Sequence, residues 1–416
     1  MLHGCLISLF IPGSLADLNI VSALAKVMRP LDGLPTNNKD FIQFAAENGY
    51  KAEKHEVTTD DGYILTVHRI PPGSKCTKKT PLLLVHGLLQ SDECFLDSGP
   101  DAPGFVLAHE CYDVWFGNVR GNYYSRKHVT LDPDRDLGFW KFSVDEIGQL
   151  DIPAMIDYVL DATNAKKLNY IGYSQGGGSF FIMNSEKPEY VDKINLFIGL
   201  APATRLYYTK SVLDRLVVNA INSLQGPLEA SGIWEVTSRG LPIQGTLEAL
   251  CRVPLLTDTL GNVAVSAIDS SHLGSMTPET FRRIFEHVPA GTSIQNLAWY
   301  GQAMNELKFL KFNYGSEENL KVYGVAEPPE YDLGKTTMPV VIFHGKSDHI
   351  VDTRDLDWVV SRLPNVLEYV TMADPLWNHF DMVFSQYWKK QLFTTMETYL
   401  NTSYARGFAC VEFDLC

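Results

Sequence analysis

Gly172-Tyr173-Ser174-Gln175-Gly176 places one serine two residues from a glycine on either side. A chain that turns sharply from a strand into a helix has no room for side chains at those two flanking positions. The serine at the apex then presents its hydroxyl at the end of a sheet. The neighbouring residues fit such a turn. Lys167 to Ile171 reads as a short buried strand leading in, and Gly176 to Met183 as the start of a helix leading out. The pentad has the form of a nucleophile elbow, and Ser174 is its candidate nucleophile.

The rest of the chain sets that turn in a layered α/β fold. A helix is expected over 41–48. Lys54 to Thr59 and Tyr63 to Ile70 read as two strands joined by Asp60-Asp61-Gly62. Fully apolar strands follow at 81–85 and 113–116, a helix with regular apolar spacing at 145–162, and a further strand at 193–200. Near-continuous apolar strands alternating with helices predict a mostly parallel sheet covered by helices on both faces. The alternation breaks after Ala201-Pro202-Ala203-Thr204 for about 130 helix-like residues, then resumes with a strand at 338–343. A helix at 355–363, a strand at 367–372 and a last helix at 386–400 complete the pattern. An insertion of that size inside a parallel sheet reads most simply as a cap over the strand ends, where ligands bind, rather than as a second independent domain. The expected division is 17–200 and 336–416 for the core and 201–335 for a helical cap or lid. Within the cap, Val212, Leu213, Leu216, Val217, Val218 and Ile221 recur at helical spacing, which suits either a lipid-facing lid or packing inside the cap.

A serine hydroxyl needs a base to become a nucleophile, and the base needs an acid to orient it. On a sheet of this type both follow later strands, in the order serine, acid, histidine. Asp348 comes just after the strand ending at Phe343, and His379 follows the strand ending at Met372 by a short loop. Asp352 and Asp355 lie farther along, on the next helix, where solvated carboxylates are expected. His344 and His349 share the Asp348 loop and would have to fold back to act as base. The oxyanion that forms on an acyl carbon needs fixed donors. The peptide N–H of Gln175 opens a helix beside the serine, and that of Leu88 follows Gly87 in the loop after an earlier strand, with His86 as loop support. This chemistry requires neither a metal nor an organic cofactor.

The net charge of −14 argues against nucleic acid as a partner. No run of about 18 apolar residues suggests a transmembrane helix. Leu6 to Ile11 followed by Ser14-Leu15-Ala16 makes residues 1–16 a candidate signal peptide, although no Lys or Arg precedes Lys26; an amphipathic or buried N-terminal segment is the other reading. The seven cysteines have no metal-site spacing. Cys94 with Cys111, and Cys410 with Cys416, are the pairs near enough in sequence to consider for disulfides. Asn401-Thr402-Ser403 is a glycosylation triplet.

Several stretches carry a family resemblance: Val57 to Leu65, His86-Gly87-Leu88-Leu89, Tyr112 to Asn122, Phe142 to Glu146, Asp151 to Ala154, Gly172 to Gly176, Pro289 to Ser293 and Asn378 to Asp381. From about Asp40 to Tyr399 the chain resembles the acid lipase family, the gastric and lysosomal acid lipases of the α/β-hydrolase superfamily. The resemblance implies an α/β-hydrolase fold with a cap and lid, and a secreted or lysosomal esterase of neutral lipids, triacylglycerols or sterol esters, acting at a lipid-water interface. It also implies Ser174, Asp348 and His379 as triad and the N–H groups of Leu88 and Gln175 as oxyanion hole. A soluble short-chain carboxylesterase and a non-catalytic lipid-binding protein are the alternatives on the same fold. Three features depart from the family pattern. Tyr173 stands where a histidine is usual, Gly177-Gly178 where threonines are common, and Cys251 is the one cysteine in a cap that usually holds a close pair.

Overall fold

Eight strands form one sheet, and their order shows where the chain doubles back. The computed structural model describes residues 39–76, 80–236 and 254–401. The strands are β1 (Glu53–Thr58), β2 (Ile64–Ile70), β3 (Leu82–Val85), β4 (Val114–Gly117), β5 (Leu168–Tyr173) and β6 (Ile194–Leu200). A two-residue pair, β7 (Glu235–Val236) and β8 (Thr292–Ser293), stands apart from the sheet, which then continues with β9 (Val340–His344) and β10 (Val366–Thr371). The order across the sheet is β1-β2-β4-β3-β5-β6-β9-β10. β1 and β2 run antiparallel at one edge, and every pairing from β4 to β10 is parallel. All side chains of β3, β4, β5 and β9 are buried, as strands covered on both faces require.

The helices flanking the sheet begin where their sequences supply a start. In α1 (Phe41–Glu47) Asp40 and Gln43 form a reciprocal capping box. In α2 (Pro103–His109) a proline occupies the first turn, where its missing N–H costs nothing. The helix expected over 145–162 is interrupted: a turn at Val144–Glu146 leads into a π-helical stretch, Ile147–Asp151, before α3 (Ile152–Thr163). The last helix, residues 388–401, carries a second π stretch at Lys389–Phe393. α4 (Gln175–Glu186) is buried from Gln175 to Ser185, so apolar periodicity is weak along a helix enclosed on all sides.

The chain leaves the sheet after Leu200 and returns at Val340. Between them lie α5 (Val212–Ala230), α6 (Pro254–Ile268), α7 (Pro278–His287), α8 (Ile294–Ala303) and α9 (Ser316–Tyr323), and α10 (Thr353–Val360) follows β9. The cysteine pairing differs from the sequence-based expectation. Cys111 bonds to Cys76, which joins the loop after β2 to the end of α2. Cys94, expected as a partner for Cys111, is instead a free thiol in the core, 2% exposed, on the single turn Asp92–Phe95. Cys5, Cys251, Cys410, Cys416 and the N-terminal segment read as a signal peptide lie outside the described residues.

Candidate active site

Ser174 closes β5 with φ 51° and ψ −114°, a backbone conformation that side-chain-bearing residues seldom adopt. The surroundings hold it there. Its N–H donates to Leu200 O at 3.0 Å, and its carbonyl accepts from Gly177, Gly178 and Ala203 N–H at 2.9–3.1 Å. The two elbow glycines are required by close approach. A Cβ on Gly172 would lie 2.6 Å from Gly177 Cα, and one on Gly176 would lie 2.2 Å from Val85 O. Among the described residues the Ser174 hydroxyl has no hydrogen-bond partner; such contacts commonly tighten once substrate is bound.

The loop after β9 carries Asp348, and the loop after β10 carries His379; the two meet. Asp348 Oδ2 lies 2.8 Å from His379 Nδ1. Asp348 Oδ1 accepts the peptide N–H groups of Ile350 and Val351 at 2.9 and 2.8 Å, which fixes the carboxylate plane. A carboxylate bound to Nδ1 selects the tautomer with the proton there and leaves Nε2 free to accept one. The His379 ring lies 5.1 Å from the ring of Tyr173, beside the elbow. Burial works against charge on His379, but the carboxylate of Asp348, with those of Asp269 and Asp214 beyond it, holds the imidazole above its ordinary value.

The loop after β3 reaches the same place. A Cβ on Gly87 would lie 3.2 Å from Ser174 Cβ, so Gly87 rests against the serine. His86 is buried, with Nδ1 2.8 Å from Gly87 O and Nε2 near Val119 N–H and the Asn122 amide. Burial lowers its pKa to about 4, so it serves this loop as a neutral strut. Gln175 N–H is the first of α4 and has no acceptor within the helix. Its side-chain oxygen is held by Asn296 at 2.9 Å and Tyr300 at 3.3 Å, both on α8.

The rival residues are occupied elsewhere. Asp352 caps α10 and binds Arg354 and Lys210, and these partners hold it down to about 2 against its burial. Asp355 pairs with Arg205 and accepts Tyr208 N–H. His344 contacts Thr371 Oγ1 at 2.8 Å and stacks on Tyr369. Two carboxylates not singled out from the sequence approach the histidine. Asp214 sits in the first turn of α5, and Asp269, just after α6, accepts the peptide N–H of His379 at 2.7 Å. Burial pushes Asp214 up to about 6; burial together with the Asp348 charge pushes Asp269 up to about 7. Asp269 lies 110 residues before His379, and no local pattern marks either carboxylate. Among the described residues no cluster of His, Cys, Asp or Glu could hold a metal ion, and no helix is long and apolar enough to cross a membrane.

A nucleophile held at a strained turn, an imidazole oriented by a buried carboxylate, and a helix-initiating amide at the serine can together perform acyl transfer. Comparison with known proteins agrees with that chemistry. Residues 80–383 match the model of the alpha/beta hydrolase fold, and residues 41–99 match that of a partial alpha/beta-hydrolase lipase region. The chain is 37% identical over 352 residues to Lipase 1 of Drosophila melanogaster, covering 84% of this chain and 77% of that one. It is 32% identical over 363 residues to the gastric triacylglycerol lipase of Bos taurus, covering 84% and 88%. It is 33% identical over 355 residues to lipase member K of Homo sapiens, covering 83% and 87%.

Proposed function

The chain belongs to the acid lipase family within the α/β-hydrolase fold, and from that premise we propose that it hydrolyses triacylglycerol esters through an acyl-enzyme on Ser174. The observation that carries this reading is the buried Asp348–His379 hydrogen bond beside a serine in a strained turn.

His379 Nε2 takes the proton from Ser174 Oγ as that oxygen attacks the acyl carbon. The carbonyl oxygen becomes an oxyanion received by Gln175 N–H, at the positive end of α4, and by Leu88 N–H. His379 then gives its proton to the departing glycerol oxygen. Water, deprotonated by the same imidazole, attacks the acyl-serine and releases the fatty acid. Throughout, Asp348 keeps the imidazole in one tautomer and stabilises its charged form.

Residues 201–335 act as the cap over this site. The apolar stripe on α5 divides between the two roles considered for it: Val218, Ile221 and Leu228 are buried, whereas Val212, Leu213, Leu216 and Val217 are exposed, Val212 by 69%. The exposed part is a lid face for a lipid surface. The Cys76–Cys111 disulfide supports passage through an oxidising compartment, and so a secreted or lysosomal enzyme.

Fatty-acid release from emulsified triolein and cholesteryl oleate, from acidic to neutral pH, tests the reading with Ser174→Ala as control. Release that vanishes in the variant supports a serine lipase, and the responding emulsion names the ester class. Cleavage of a dissolved short-chain ester alone would replace lipase by esterase. Silence on all three substrates would leave a lipid-binding protein.

A further inference from the structure

Asp269 belongs neither to the elbow nor to the two loops that bear Asp348 and His379, yet it is fastened to both loops. Its Oδ1 accepts the peptide N–H of His349, the residue after Asp348, at 2.8 Å. Its Oδ2 accepts the N–H of His379 at 2.7 Å and of Phe380 at 3.3 Å. The side chain is buried, 3% exposed, and no Lys or Arg among the described residues pairs with it. A carboxylate kept in the interior without a cation is costly to retain for stability alone. Here its acceptor positions are spent on the backbone beside the acid and on the backbone of the base.

The residues that follow are stitched to the same two loops. Ser270 Oγ donates to Ser347 O at 2.6 Å, and its carbonyl accepts from the Asn378 amide at 2.7 Å. His272 Nδ1 contacts Asp381 Oδ2 at 2.6 Å; the Ser275 hydroxyl meets Asp381 and Ser385. The segment 269–275 thus runs along both loops, and Asp269 is the member that grips the histidine itself.

We infer that Asp269 is a positioning residue that sets the register between Asp348 and His379 from the cap side. It acts through the two backbones and does not touch the reacting atoms. Because the geometry of acyl transfer is steep, a shift of about 1 Å in the imidazole is enough to lower turnover by roughly a hundred-fold. The inference rests on Ser174, Asp348 and His379 being the catalytic groups.

Asp269→Asn tests it. The amide is isosteric but replaces one acceptor by a donor, so one of the two loops meets an N–H with an N–H. On dissolved p-nitrophenyl butyrate the expected result is a kcat lower by about a hundred-fold with KM unchanged. Ser275→Ala loosens the same segment without touching the His379 amide and should keep the wild-type kcat. An unchanged kcat in Asp269→Asn, or an equal loss in both variants, overturns the inference. Should Asp269→Asn fail to fold, amide exchange in the wild-type protein decides. The His379 and Phe380 amides should exchange as slowly as those of β9, and exchange at the rate of an exposed loop overturns it. The underlying triad reading fails separately, by butyrate release that persists in Ser174→Ala or is absent from wild type.

Discussion

The Tyr173 hydroxyl donates to the carbonyl oxygen of His379 at 3.2 Å, tying the residue before the proposed nucleophile to the backbone of the proposed base. With Asp269 on the N–H of the same residue, both polar backbone atoms of His379 are held, one from the elbow and one from the segment after α6. Tyr173 occupies the position where the family usually has histidine, and the longer side chain makes this bridge. Tyr173→Phe keeps the packing and removes one of the two donors to that carbonyl, which keeps the Met382 N–H at 3.2 Å; the loss is that of one net hydrogen bond, about 0.5–1.5 kcal/mol. If all of that is expressed in the transition state, kcat falls by about two- to twelve-fold, since 1.36 kcal/mol is a factor of ten. Steady-state kinetics on a dissolved ester would show this; wild-type kcat in Tyr173→Phe would mean the bridge does not orient the base.

Asp348→Asn separates orientation from mere presence. The Asn carbonyl can keep the two N–H groups of Ile350 and Val351 that now reach Asp348 Oδ1. Its NH2 then faces His379 Nδ1 and favours the tautomer with the proton on Nε2, where it cannot accept from Ser174. The expected outcome is a fold intact by circular dichroism and a kcat reduced by about 10⁴-fold. A loss of less than about ten-fold would show that another group orients the imidazole.

How far the sequence could be read depended on the range of each interaction. The elbow was legible because the strand, the turn and the helix are contiguous, and the clash that demands Gly172 comes from Gly177 within the same turn, although that at Gly176 comes from Val85 on β3. Asp348 and His379 were legible because each follows its strand within a few residues. Asp269 was not, because it reaches the histidine across the fold through backbone amides that carry no side-chain signature. The π stretch at Ile147–Asp151 escaped periodicity because one wider turn does not erase an apolar face. Cys111 found Cys76 because the end of α2 and the loop after β2 are brought together by the pairing of β2 with β4, a contact that spacing alone does not reveal.

Leu216 and Val217 are 57% and 48% exposed on α5, while Val218 next to them is buried. If the exposed pair meets lipid, a double Leu216→Ser, Val217→Ser variant should lose activity on emulsified triolein and keep it on dissolved p-nitrophenyl butyrate. Burying each side chain in lipid is worth about 1.5–3 kcal/mol, so a loss of at least ten-fold in apparent affinity for the emulsion is expected. Parallel loss on both substrates would assign the pair to packing within the cap.

Buried carboxyls should make this fold more stable in mild acid than at neutral pH. Burial pushes Asp145 up to about 7, and Asp214 and Asp355 up to about 6, from an ordinary value of 3.8. Each takes up its proton at a higher pH in the folded chain than in the unfolded one. Folding therefore gains as pH falls from about 7 towards 4, and that gain is lost as pH rises again through the folded values. His272, held up by its bond to Asp381, works in the same direction. So do His287 and His379, where nearby carboxylates outweigh burial: their contribution is full below the unfolded histidine value and lost above the folded one. His86 and His344, both lowered by burial, work the other way, because the unfolded chain protonates them first. Asp61, Asp134, Asp352, Glu56 and Glu279, lowered by cationic partners, oppose this mainly below the unfolded carboxyl values of 3.8 and 4.5, so Tm should be higher at pH 5 than at pH 7.5. Asp145 offers a single-site check. Its Oδ2 accepts Phe312 N–H at 2.8 Å, it is buried in the core, and the Tyr331 hydroxyl is its neighbour. Asp145→Asn keeps the acceptor and removes the charge, so it should raise Tm at pH 7.5 and leave it unchanged at pH 5. A variant that lowers Tm equally at both values would show that Asp145 is retained for its ionised form.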